Sequence, residues 1–270
     1  MTSMTDPLVA FGDSPFFLHA HPDDESISTG GTIAALLRND VPVTILTGTR
    51  GERGEVVPGE LESLEGTELL GPHRVGELAD ALGALGEPAH AFLGAAPARA
   101  SGRPERVYSD SGMRWGADGF AEAAGDASPA SLSLAPLDVV VDDVLAAAFE
   151  TRPSAMVSYD AQGGYGHPDH VRMHDAGVEV ARRLGIPYFA IVEPRAPGSG
   201  LEAGMNDAAA DARTDGALLE VDLTQTGTLA QKTRAMAAHR TQLSIDGDTF
   251  VLSGVQRHPI GTVEWFLRVF

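Results

Sequence analysis

The sequence predicts an α/β fold: a Rossmann-like, three-layer arrangement with a mostly parallel sheet, extended by a small C-terminal α+β segment. Two observations carry this expectation. Short apolar runs alternate with stretches of helical spacing through the first 193 residues, and strands separated by helices build parallel sheets covered on both faces. Two of the apolar runs end in a His-Pro-Asp turn that leads straight into a helix. In open α/β sheets, chemistry gathers at the carboxyl ends of strands, where the strand order reverses. The 270 residues suffice for a sizeable core. The organisation read from the chain is 1–193 as a Rossmann-like catalytic core, with 194–270 as a connection and C-terminal segment packed on it, working as one unit.

Residues 1–14 read as a loose leader. The first strand is expected at 16–20, followed by His21-Pro22-Asp23-Asp24-Glu25 and a helix to 38 that carries Gly30-Gly31. The second strand, 41–47, has Pro42 at its start, where a missing N–H is tolerated. A Gly/Glu loop covers 48–56. Residues 62–85 have helical spacing through Leu64, Leu78, Leu82 and Leu85, with Gly71-Pro72 breaking or starting the helix. A short third strand, 90–93, precedes 94–135, a Gly-, Ser-, Pro- and Ala-rich stretch long enough to suggest a functional loop. A helix at 137–149, a strand at 155–158, a helix at 171–184 and a strand at 188–192 continue the alternation. Residues 194–217 read as a flexible connection, before a strand at 219–221, a helix at 229–239 and a mixed end.

A net charge of −19 argues against nucleic acid or an anionic membrane as partner, because such partners demand clustered cations. No apolar run approaches the ~18 residues of a membrane span, and Met1-Thr2-Ser3-Met4-Thr5-Asp6 lacks a basic n-region. The expectation is a soluble cytoplasmic protein. Without cysteine, disulfides, thiol nucleophiles and thiolate metal sites are excluded. The single lysine, Lys232, follows no Gly-rich loop, which excludes a Walker-type phosphate loop. No Gly-x-Ser-x-Gly elbow is present. Gly198-Ser199-Gly200 has no strand–turn–helix context, and no glycine fingerprint follows the first strand, so a dinucleotide site is rejected.

Histidine and carboxylate ligands suit Zn²⁺ or Fe²⁺. A catalytic zinc site takes three protein ligands and keeps a fourth position open. His21, Asp24 and His170 can supply that set. Asp24 stands three residues after His21, so one tight turn points both inward, and His170 comes from the second strand end. Asp23, beside a ligand but directed elsewhere, is the natural general base for the attacking water. His19 is expected to lie in the strand and pack behind the site. One His-Pro-Asp is usually only a turn; two, each after an apolar strand and before a helix, point to a shared site.

His21-Pro22-Asp23-Asp24-Glu25 paired with His167-Pro168-Asp169-His170 resembles the LmbE/PIG-L family of metal-dependent N-acetylglucosaminyl de-N-acetylases. Gly51-Glu52-Arg53-Gly54-Glu55-Val56, Arg74-Val75-Gly76-Glu77-Leu78, Asp110-Ser111-Gly112-Met113 and Gly163-Gly164-Tyr165-Gly166-His167 are similar to its mycothiol branch, in which GlcNAc-inositol becomes GlcN-inositol. Ala238-His239-Arg240-Thr241-Gln242 looks like a family helix. The likeness is weakest at 95–106 and 194–217.

The resemblance implies zinc-dependent hydrolysis of the N-acetyl group of an N-acetylglucosaminyl substrate, with Fe(II) as the alternative metal in the cell. His21, Asp24 and His170 fall on the family's metal ligands and Asp23 on its general base. His167 falls on the residue that stabilises the oxyanion or serves as general acid, and Asp169 on the carboxylate that orients that histidine and would favour its charged form. Tyr165 falls on a mobile tyrosine that closes over the site and polarises the substrate carbonyl. Arg74 and Asp110 match positions that grip sugar and inositol hydroxyls, Met113 one that lines the pocket, and Glu55 is a further substrate-binding candidate.

Conjugate amidases of the same branch carry a lysine a few residues after the first motif; Glu25-Ser26-Ile27-Ser28-Thr29-Gly30 has none, which points to the deacetylase. The alternatives are a mycothiol-conjugate amidase, a deacetylase of another amino sugar, and a non-catalytic metal- or sugar-binding module, against which Asp23 argues. The partner expected is a small amino-sugar substrate, with the oligomeric state open. His73, His90, His174 and His258 read as surface or core residues, and His239 as either pocket-facing or structural.

Overall fold

The structure is a computed structural model that describes residues 6–117, 121–192, 218–254 and 256–270. Strand β1 (Pro15–His19) leads into helix α1 (Asp24–Arg38), β2 (Thr44–Thr47), α2 (Leu70–Leu85) and β3 (Ala89–Phe92). A hairpin of β4 (Met113–Trp115) and β5 (Ala121–Ala123) precedes α3 (Leu137–Thr151), β6 (Ala155–Tyr159), α4 (Pro168–Leu184) and β7 (Tyr188–Val192). The C-terminal part supplies β8 (Leu218–Asp222), α5 (Leu229–Ala238), β9 (Leu243–Asp246), β10 (Thr249–Leu252), β11 (Arg257–Pro259) and β12 (Val263–Arg268).

Seven strands form the central sheet in the order β3-β2-β1-β6-β7-β12-β8. The first five are parallel, and β12 runs antiparallel to both β7 and β8. From β1 the chain moves outward through β2 and β3, then crosses to β6 and β7 on the other side. The order therefore reverses between β1 and β6, whose carboxyl ends flank the crevice where such sheets place their chemistry.

Every residue of β1 is buried, because successive side chains enter opposite layers. Phe16 and Leu18 join Met156, Val144, Met173 and Val180 under α3 and α4. Phe17 joins Ile45, Val157, Phe189, Ile33 and Leu82 under α1 and α2. A smaller cluster of Met236, Leu243, Phe250 and Ile260 seats the β9–β11 sheet on α5. The α/β class, the parallel core and the added C-terminal α+β layer follow the sequence expectation.

Three local readings need correction, and one that was left open is decided. Residues 6–14 are not loose: Pro7–Phe11 forms a 3-10 turn that Asp6 caps by accepting from Leu8 N at 3.0 Å. Phe11 is fully buried, with its ring 5.0 Å from Phe189 and 5.1 Å from Phe266. A lone aromatic in a short segment offers no periodicity to read. Of the two readings of Gly71-Pro72, the structure takes the second: it lies in the first turn of α2, where proline is tolerated, after a separate 3-10 turn at Glu62–Leu64. Residues 94–135 are not one structureless loop, since they hold the β4–β5 hairpin and a turn at Leu132–Leu134. Finally, α4 starts at Pro168 rather than at 171: proline suits the first helical position, and His167 caps the helix through Nδ1, which accepts from Asp169 N at 3.2 Å. The connection expected at 194–217 and residues 1–5 lie outside the described residues. Among the described residues no helix is long and apolar enough to cross a membrane.

Candidate active site

The two His-Pro-Asp turns meet at the switch point. His21 leaves the end of β1, Asp24 opens α1, and His170 lies in the first turn of α4 beyond β6. His21 Nδ1 is 3.4 Å from Asp24 Oδ2 and 3.3 Å from His170 Nε2, and His170 Nε2 is 3.5 Å from Asp24 Oδ2. The outer ring nitrogens are engaged: His21 Nε2 with Asp169 Oδ2 at 3.2 Å, His170 Nδ1 with the Gly163 carbonyl at 3.2 Å. A carboxylate and a carbonyl only accept, so each ring donates outward and turns a lone pair inward. Three acceptor atoms then face one another, an arrangement that a shared cation resolves. Tetrahedral zinc, with bonds of about 2.0–2.2 Å, sets its ligand atoms about 3.3–3.6 Å apart. His21, Asp24 and His170 therefore fit a metal ion, and the outward hydrogen bonds are the supporting contacts such ligands take.

Asp24 is further held by the Tyr159 hydroxyl at 2.7 Å, which itself accepts from Ala20 N at 2.7 Å. The Tyr159 ring stacks on His170, with centroids 4.0 Å apart and planes at 9°. Burial alone would raise the Asp24 carboxyl, but His170 and His21 outweigh it and hold it well below the usual carboxylate range. His19 is fully buried at the end of β1, with Nε2 3.0 Å from Thr29 Oγ1, behind the site as expected.

Asp23 occupies the N-cap of α1, yet its side chain makes no capping hydrogen bond, although capping is what an Asp there usually does. Its φ of 106° lies in a region that side-chain-bearing residues avoid. The turn is held by Asp23 N donating to Glu25 Oε2 at 3.0 Å and by the Asp23 carbonyl accepting from Ser26 N and Ile27 N at 3.0 and 2.9 Å. The carboxylate is thus left free of the helix. Burial, then the charge of Asp24, push it up to about 7, suited to taking a proton near neutrality.

Glu25 is fully buried behind this turn and meets His239 Nε2 at 2.8 Å and Ser26 Oγ at 2.6 Å. Burial alone would depress His239, but Glu25 outweighs it and raises the imidazole above its ordinary value. His239, left undecided by the sequence, is fully buried and ties the end of α5 to the start of α1. His73, His90, His174 and His258 pair locally with Glu77, Thr47, Tyr159 and Phe250, away from the triangle.

Asp169 departs from expectation. Its carboxylate lies against His21 and accepts from Ser111 N at 2.9 Å and from Ser111 Oγ; its hydrogen bond to His167 runs through the backbone N–H, with a carboxylate oxygen within 4.8 Å of a His167 ring nitrogen. The hydrogen-bond partner of the Asp169 carboxylate is thus His21 rather than His167. Nor does His167 favour its charged form: burial, then the neighbouring His21 and His170, press its pKa down to about 2. With Nδ1 accepting from Asp169 N, the neutral ring carries its proton on Nε2 as a donor. His167 stays at the centre, its ring 4.5 Å from His21, and its ligand atom lies within 4.8 Å of those of His21 and His170. Tyr165 is 40% exposed at the mouth, its ring 5.1 Å from His170 and 6.1 Å from His167. It lies among Gly163, Gly164 and Gly166, all at positive φ; a Cβ on Gly163 would stand 2.9 Å from that of His170.

Asp110 reaches the site, Oδ1 lying 3.8 Å from His21 Nε2, and it accepts from Gly112 N at 2.8 Å. Met113 follows it, half-buried, at the start of β4. Arg74 is buried but spends its guanidinium on the Gly51 and Glu55 carbonyls and on Thr241 Oγ1, bracing the 51–55 loop. Glu55 is exposed and bonded to Ser253 Oγ at 2.7 Å. A cleft of about 830 Å³ opens beside this loop, lined by Arg50, Glu52, Glu55, Thr67 and Val75. Tyr159, Ser111 and Glu25 are contributors to which the sequence reading gave no role, and His239 is one whose role it left open. Ser111, Glu25 and His239 each lie inside a stretch quoted from the sequence, whereas Tyr159 lies in none.

Fold and site together define a hydrolase with a candidate metal centre at the switch point of a parallel sheet. The chain belongs to the PIG-L family: the family model described as GlcNAc-PI de-N-acetylase matches residues 16–181, and the chain is a hydrolytic N-deacetylase. It is 38% identical over 262 residues to a protein of Kineococcus radiotolerans, covering 87% of this chain and 70% of the relative. It is 36% identical to one of Saccharomonospora viridis, covering 93% of each. Both relatives are named 1D-myo-inositol 2-acetamido-2-deoxy-alpha-D-glucopyranoside deacetylase. Among solved structures, the fold is similar to a deacetylase–teicoplanin complex (TM-score 0.59, 17% identity, 94% of this chain and 97% of that one). It is also similar to an A40926 pseudoaglycone deacetylase (TM-score 0.58, 18% identity, 95% and 96%).

Proposed function

We propose that this chain hydrolyses the N-acetyl group of GlcNAc-inositol, giving GlcN-inositol and acetate in mycothiol biosynthesis, as a zinc enzyme of the cytoplasm. The observation that carries the chemistry is the triangle of inward acceptors from His21, Asp24 and His170 with the free carboxylate of Asp23 beside it. The substrate is supported by the names of relatives that align over most of this chain.

His21, Asp24 and His170 would hold a divalent cation, which when bound would supply Lewis-acid polarisation of the acetamide. Asp23 removes a proton from the attacking water. As the carbonyl oxygen gains charge, His167 Nε2–H and the Tyr165 hydroxyl donate to it, which matters most in a buried site. Asp169 keeps the His21 lone pair inward. Asp23, which holds the proton taken from the water, then passes it to the leaving amine, and acetate departs. Asp110 and Met113 are assigned to the sugar side, where Asp110 is within reach of hydroxyls. Arg74 and Glu55 act on substrate by shaping the 51–55 loop.

The test is free-amine release by zinc-reconstituted protein, with GlcNAc-inositol, GlcNAc and a mycothiol conjugate compared and a chelated control. Chelator-sensitive release strongest on GlcNAc-inositol is expected. Strongest release from the conjugate would move the chain to the amidases, and release from none would leave the proposed substrate without support.

A further inference from the structure

Strand β4 leaves directly from the catalytic centre. Ser111 donates to the Asp169 carboxylate, and Asp110 lies beside His21. Four residues later, roughly 13 Å along an extended chain, stands Trp115. Alternate residues of a strand share a face, so Met113 and Trp115 point one way, while Arg114 on the other face pairs with Glu122 at 3.0 Å. Trp115 is 65% exposed. Its one ring contact among the described residues is Tyr165, with centroids 5.8 Å apart and planes tilted by 41°. The contact is held in place, since Ala121 N, opposite Trp115 in the hairpin, donates to the Tyr165 carbonyl at 2.8 Å. An indole is therefore kept in water one ring beyond Tyr165, on the mouth side of the site.

We propose that Trp115 contacts the substrate: with Tyr165 and Met113 it forms an apolar wall that stacks on the polyhydroxylated six-membered ring joined to the glucosamine. This rests on the reading of the site as an amino-sugar deacetylase. A ring polyol has an apolar C–H face and a hydroxyl edge; the indole matches the face, and Asp110 offers an acceptor to the edge. With the Tyr165 ring in contact with both Trp115 and His170, Trp115 is assigned to recognition of the distal ring rather than to bond cleavage. The wall discriminates a glycoside from free GlcNAc.

The experiment combines kinetics with fluorescence, because the chain holds two tryptophans, Trp115 and the half-buried Trp265 of β12. Zinc-loaded wild type, W115F and W115A are compared on GlcNAc-inositol and on GlcNAc, and each is titrated with GlcN-inositol while tryptophan emission is followed. W115A is expected to raise KM for GlcNAc-inositol about tenfold, the size of one aromatic contact, with kcat and hydrolysis of GlcNAc within about twofold. GlcN-inositol is expected to change wild-type emission and to leave W115F emission flat. Unchanged KM in W115A, an equal loss on both substrates, or an undiminished fluorescence response in W115F overturns the proposal. Wild type inactive on both substrates would remove the functional reading and this inference together, whereas active wild type with an unaffected W115A removes this inference alone.

Discussion

Neighbouring carboxylates differ here because their oxygens have different partners. Asp24 is committed to the triangle by His21 N, the Tyr159 hydroxyl and two imidazoles. Asp23, one residue away, forgoes capping and adopts a strained φ, and such strain persists where the surroundings enforce it. Asp23→Asn keeps the turn and the ligands, so bound metal should stay stoichiometric while kcat falls about 10²–10⁴-fold; metal analysis alongside turnover checks this, and near-normal turnover would sink the base assignment. Asp169→Asn separates two roles. If the carboxylate orients His21, metal affinity should weaken about 10–100-fold, as read by competition with a chromophoric chelator. Loss of turnover at unchanged affinity would return Asp169 to His167. The convergence of His21, Asp24 and His170, with Asp23 beside them, was legible because two local motifs carry these residues. The partner of Asp169 was not, because the motif places it beside His167 in sequence while the fold places it beside His21.

Between elements, the pairs that matter join segments distant in the chain. Glu25 and His239 are 214 residues apart and fully buried, and they fasten α5 to the turn that presents Asp23. Removing one partner of such a pair leaves a buried charge. His239→Ala should therefore cost roughly 3–5 kcal/mol, read as a lower urea midpoint in the metal-free protein, and His239→Gln should recover part of it; an unchanged midpoint in the alanine variant would show that the contact is not a clamp. Strands β1, β6 and β7 were legible as uninterrupted apolar runs because both faces are covered. The start of α4 was misread because His167 and Pro168 look like a turn in isolation and become a cap only with the helix behind them. The hairpin bearing Trp115 was invisible, since three-residue strands carry too little alternation to stand out.

At the scale of the molecule, the central sheet is not complete when the βα alternation ends. Residues 263–268 lie between β7 and β8 and bring the fully buried Phe266 against Phe11. A chain truncated after 192 should lose Phe266 from the core and leave the β7 edge open, so it is expected to fail to unfold cooperatively in a denaturant titration monitored by circular dichroism. A cooperative transition would show that the parallel strands stand alone. The same placement of β12 has a consequence during synthesis. With translation at roughly 5–20 residues per second, the β7 edge waits several seconds for its neighbour, presenting Phe189 and Ile191 with unpaired backbone. The nascent chain is therefore most vulnerable to aggregation and most dependent on chaperones in that interval, and synonymous codons that slow translation between 193 and 262 should lower the soluble yield of a protein whose finished form is unchanged.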